Sequence, residues 1–131
     1  MSMKSIRVGL ALATLGAACA PLGLHEPGNA DAPEVVNIVM TDSSIDVRPH
    51  LVARGKVGFE LINEGLLEHA LRIVGPGADE QFDGVVPGQP RRVWVKLGVG
   101  TFRIFCPDGN HADLGMSSHL DVTDEVNSFR R

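Results

Sequence analysis

The chain of 131 residues has only two cysteines, and one of them, Cys19, lies in its leading apolar stretch. A disulfide framework is therefore excluded as the main source of stability, and Cys106 is left as a thiol in need of another role; a Cys19–Cys106 disulfide is the minor alternative. No run of lysine or arginine occurs, and the formal charge is −4, so nucleic acid is excluded as a partner. No segment repeats, and none places apolar residues convincingly at helical spacing. With 15 glycines and 8 prolines, the chain is not a helical bundle or a solenoid. It also lacks a nucleophile set beside a base, which argues against an enzyme. The apolar run Val8 to Ala18 is shorter than the ~20 residues a membrane-crossing helix needs.

What is present begins with the order of a secretory signal: Lys4 and Arg7, then the apolar run. Residues 1–20 are expected to be removed, with the cut falling between residues 17 and 32, which places the protein in the periplasm or another extracytoplasmic space. Ala18-Cys19-Ala20 and Ala30-Asp31-Ala32 both have small-x-small form, and each is followed by proline. The alternative is a lipoprotein anchored to a membrane through Cys19, although Gly16-Ala17-Ala18 lacks the usual leucine. Removal of Lys4 and Arg7 leaves a more acidic protein, suited to basic patches on partners. Residues 21–34, rich in Pro, Gly and Ala and holding His25, are expected to form a loose tether. Residues 35–123 form the domain and residues 124–131 a charged tail.

Within the domain the hydrophobic period is two. Val35 to Met40 opens the series, followed by a turn at Thr41-Asp42-Ser43-Ser44 and an alternating run through Ile45, Val47, Pro49 and Leu51. Val57, Phe59 and Leu61 share one face; so do His69, Leu71 and Ile73, then Val93, Val95 and Leu97, then Phe102, Ile104 and Cys106, then Leu120 and Val122. Gly75 to Gln81 reads as a loop and Phe82 to Val86 as a short edge strand. Trp94 falls on an outer face, over a surface groove. The pattern predicts an all-β Greek-key sandwich or barrel of about seven or eight strands.

Chemistry concentrates in Phe105-Cys106-Pro107-Asp108-Gly109-Asn110-His111-Ala112-Asp113-Leu114-Gly115-Met116, a C-x4-H-x4-M pattern running from the end of one strand to the start of the next. A thiolate, an imidazole and a thioether suit copper, and two histidines with one cysteine and a weak methionine make the blue-copper set. His69, at the start of its strand and facing inward, is the candidate second histidine. Taken singly, an inward histidine is more often a satisfied core residue and a methionine more often core filler; the spacing is what points to metal. His50 and His119 are expected to be solvated, with a second, weaker copper contact as the alternative.

The constellation resembles the cupredoxins, the small blue-copper electron carriers. The resemblance covers about Val35 to Val122: V-x-F-x-x-x-N-x-G before His69, a P-G-x-x-x-x-V-x-V-x-L strand at Pro87 to Leu97, and G-T-F-R-I-F-C into Cys106. It implies one copper ion held by His69, Cys106, His111 and Met116, with Asn63 and Ala70 behind the ligands. It also implies an apolar patch around the His111 edge, formed by Leu66, Leu67, Pro107 and Leu114, where redox proteins dock transiently. Three positions depart from the common pattern. Ala70 stands where many relatives carry Asn, Asp or Ser, leaving only its backbone N–H to approach the Cys106 sulfur; Ser118 replaces a glycine, and Phe105 a tyrosine. The expected function is one-electron transfer between redox partners. The alternative is copper handling as a chaperone or store, which would favour more exposed methionines than this chain offers.

Overall fold

Alternation along the strands decides which side chains meet in the core. The computed structural model describes residues 33–124, and its regular elements there are nine strands. They are β1 (Val35–Met40), β2 (Ile45–Arg48), β3 (Leu51–Ala53), β4 (Gly55–Asn63), β5 (His69–Gly75), β6 (Ala78–Val85), β7 (Arg91–Leu97), β8 (Gly100–Phe105) and β9 (Ser117–Thr123). One sheet has the order β2-β1-β4-β7 and the other β3-β9-β8-β5-β6. The expected signal, most of the tether, Cys19, His25 and nearly all of the tail lie outside the described residues.

Between the sheets Phe59, Phe102, Leu61, Leu71, Ile73, Ile104 and Leu120 are fully buried, each contributing about 2 kcal/mol or more through apolar burial. Of the positions that alternation places on one face, Val93 and Leu51 are half-buried and Pro49 is exposed. Trp94 lies on the outer face of β7 over Gly58, where an added Cβ would stand 2.9 Å from the indole. Lys56 Nζ sits 5.2 Å from that ring.

Nine strands replace the expected seven or eight because one expected strand is broken in two. The run from Ile45 to Leu51 reads as one strand, but proline has no N–H to give a ladder. The chain bends at Pro49-His50, and β3 joins the other sheet, parallel to β9. β6 begins at Ala78 and not at Phe82, because its exposed Asp79, Glu80 and Gln81 conceal the period. It is an edge strand beside β5, and an extra residue on it at Asp83-Gly84 sits opposite Ala70, with Gly84 at φ +70°.

Strand direction brings the β1–β2 turn, the end of β4, the start of β5, the end of β8 and the start of β9 to one end of the sandwich. Every sequence-predicted ligand lies there.

Candidate metal centre

Cys106 directly follows β8, continuing the inward parity of Phe102 and Ile104, and is a fully buried free thiol. Its sulfur lies 4.0 Å from His69 Nδ1 and 3.6 Å from His111 Nδ1. The two imidazoles meet edge to face, with centroids 5.3 Å apart. One donor atom from each of the three residues falls within 4.8 Å of the other two. His69 is buried and His111 half-buried. The histidines are thus not equivalent: one is sealed in the sandwich, the other reaches the surface.

His69 is oriented from a distance. Its Nε2 lies 3.1 Å from Oδ1 of Asp42 in the β1–β2 turn. A carboxylate accepts only, so Nε2 carries the proton and Nδ1 is left as the ring nitrogen facing Cys106. The same carboxylate accepts the backbone N–H groups of Leu66 and Leu67 at 3.0 and 3.1 Å. Those two backbone bonds, with His69 behind them, hold the Asp42 carboxyl below the usual carboxylate range. Gly65 has no side chain for a related reason: a Cβ there would overlap the Asp42 carboxylate. Sequence reading assigned Asp42 only to a turn. No local pattern links it to a histidine 27 residues away.

Asn63 braces the same loop from inside. It is buried at the inward parity of β4, and its Nδ2 donates to the carbonyls of Leu67 and Val85, both at 2.8 Å. Its Oδ1 accepts from Gly65 N–H at 2.9 Å. Asn63 therefore ties β4 in one sheet to β6 in the other across the base of the His69 loop.

The loop from Cys106 to Met116 holds itself by backbone. His111 N–H donates to the Asp108 carbonyl and Met116 N–H to the His111 carbonyl, each at 3.0 Å. Cys106 N–H donates to the Met116 carbonyl at 3.0 Å, closing the loop where it leaves and re-enters the sheet. Gly109 at φ +49° makes the tight bend. Gly115, at φ +123°, passes against the Ser43 carbonyl, so the β1–β2 turn touches both ligand-bearing loops. Met116 is fully buried at the loop's end.

The expected backbone bond from Ala70 to the sulfur is not present among the described residues: the sulfur's polar neighbours are the two imidazole nitrogens. Ala70 is buried opposite the extra residue on β6. Leu66, Leu67 and Leu114 are exposed by 89%, 56% and 63%, and Pro107 is half-buried. His50 and His119 are exposed on the five-stranded sheet.

A thiol and two imidazoles, each with a donor atom turned toward a common point, fit a single copper ion. The tautomer of His69 is set by a carboxylate, as metal-binding histidines require.

No protein-family model matches the chain, and no curated protein matches it in sequence. Solved structures do match it in fold. The dithionite-reduced auracyanin of the photosynthetic bacterium Roseiflexus castenholzii superposes with a TM-score of 0.56 at 14% identity, over 70% of this chain and 98% of that one. Auracyanin A, a blue copper protein from Chloroflexus aurantiacus, gives 0.54 at 13% identity, over 70% and 100%. A multi-copper oxidase from Pediococcus acidilactici gives 0.56 at 20% identity; there the match covers 74% of this chain but only 28% of the oxidase. The chain has the cupredoxin fold.

Proposed function

We propose that the protein is an exported one-electron carrier with a single type 1 copper ion held by His69, Cys106 and His111, and with Met116 as a weaker donor. The observation that carries this reading is the buried Cys106 sulfur within 4.0 Å of two imidazole nitrogens, on an end of the sandwich braced by Asp42 and Asn63. A copper ion bound there supplies one-electron chemistry between Cu(II) and Cu(I).

The chain's own residues supply rigidity, exclusion and an exit. Asp42 orients the His69 ring, and Asn63 fixes the loop that delivers it. Burial of Cys106, His69 and Met116 keeps water from the donors. His111, half-exposed among Leu66, Leu67, Pro107 and Leu114, is the route by which an electron leaves. An apolar patch of this kind favours brief docking to a redox protein over a stable complex. Four protein donors leave no position for a substrate, so the reading is of a carrier and not an oxidase. Similarity to auracyanins along their whole length supports it, whereas the oxidase match reaches only part of that enzyme.

The test is an absorption and EPR titration of the purified protein with Cu(II). An intense visible thiolate-to-copper band with narrow copper hyperfine splitting is expected, bleached on reduction and lost in Cys106→Ser. A weak band with ordinary splitting would move copper handling ahead of electron transfer.

A further inference from the structure

Away from that centre, the five-stranded sheet carries a second pair of imidazoles. His50 leads into β3, and His119 lies on β9, three residues beyond Met116 and on the opposite, solvent face. Their rings stack with centroids 5.7 Å apart and planes 26° from parallel. The spacing is close to that of His69 and His111, 5.3 Å, although those rings meet edge to face at 71°. We propose that His50 and His119 form a second, surface metal site for a divalent ion of the zinc, nickel or copper(II) class, with water completing the coordination.

Three observations support this. His50 Nδ1 lies 3.3 Å from the carbonyl oxygen of His119, which accepts only, so Nδ1 carries the proton and Nε2 is left as the nitrogen that can bind a metal. A metal-binding histidine characteristically gives its other ring N–H to a carbonyl or carboxylate; here His50 does what His69 does with Asp42. The backbone beneath is fixed, because the His50 carbonyl accepts the Asp121 N–H at 2.8 Å and β3 pairs in parallel with β9. The two rings therefore do not have to be gathered from a flexible chain, and binding to one makes binding to the other intramolecular. Finally, the cation nearest in register is turned away. Arg103, opposite His119 on β8, lays its guanidinium 4.3 Å over the Phe105 ring and points Nε at Ser117 Oγ. The imidazoles stay open to solvent, and imidazole suits all three ions.

Zinc is the probe of choice because it is spectroscopically silent at the blue centre. With the full chain first loaded with one equivalent of copper and reduced to Cu(I), Zn(II) is titrated while the ring protons of each histidine are followed by NMR. His50 and His119 should shift together on one isotherm, and His50→Gln should weaken the His119 response by about tenfold or more, as His119→Gln should weaken that of His50. The two variants change exposed side chains, and an unchanged amide spectrum verifies that they fold. His25→Gln should leave the isotherm as it is. If the two histidines respond on separate isotherms, if neither moves, or if His50→Gln leaves the His119 response intact, the proposal is wrong.

Discussion

The two loops that carry the ligands are built in opposite ways. The segment from Glu64 to Glu68, which delivers His69, is held from outside, by the carboxylate of Asp42 and the amide of Asn63. The segment from Cys106 to Met116 is held by its own backbone, with Gly109 and Gly115 supplying the bends. The first loop depends on residues distant in sequence. The second is a local unit that would keep its shape if most of its side chains changed. The difference predicts where single substitutions do damage.

The largest effect is expected at Asn63. Asn63→Ala leaves the Leu67 and Val85 carbonyls and the Gly65 N–H without their partner, the bond to Val85 being buried and the other two part-buried. Unfolding of the metal-free protein by denaturant should show a loss of about 3 kcal/mol. A loss below about 1 kcal/mol would mean that water replaces the amide and that the loop does not rely on it. Asp113→Ala, in the self-supporting loop, is the matched control. Its side chain is exposed and makes no hydrogen bond or ion pair among the described residues, so stability should be unchanged.

Asp42 comes next, because it positions the ligand more than it supports the fold. Asp42→Ala removes the acceptor for Leu66 N–H, Leu67 N–H and His69 Nε2 together. Copper affinity, read by competition with a chelator, should fall about 10- to 100-fold, the usual cost of losing the group that orients a metal-binding histidine. Equal affinity in the variant would show that packing alone sets the His69 ring. Gly65→Ala attacks the same contact from the other side, since its Cβ would displace the carboxylate. Its effect should be smaller than that of Asp42→Ala and should vanish in the double variant, with a coupling of about 1 kcal/mol. Additive losses would separate the two residues.

The same contrast explains what could be read from sequence. Cys106, His111 and Met116 stand out because strand parity and fixed spacing are local, and local patterns survive in one dimension. The β-sandwich was legible for the same reason, strand by strand. Asp42 was not: its role arises when β1 lies beside β4 and brings a turn over His69, which no spacing records. The break at Pro49 and the early start of β6 were obscured because alternation continues through the first and is hidden by exposed charges in the second. Asn63 lay between these cases, since the resemblance placed it behind the ligands while its partners Leu67 and Val85 were not visible.

However differently they are held, both loops expose leucines: Leu66 and Leu67 on one, Leu114 on the other. If these form one docking surface, a charge placed on either loop should have the same small effect. Electron self-exchange between two copies of the copper-loaded protein tests this without knowledge of the natural partner, because each copy must present the patch to the other. Leu67→Glu and Leu114→Glu should each slow exchange about threefold, with the visible band unchanged, because a carboxylate at a brief apolar contact loses hydration without gaining a partner. The effect is smaller than those above because the contact is transient and both side chains are already largely exposed. Raising the salt should recover only the part due to repulsion between the added charges. A response confined to one variant would assign docking to one loop, and no response in either would place the exit for electrons away from His111.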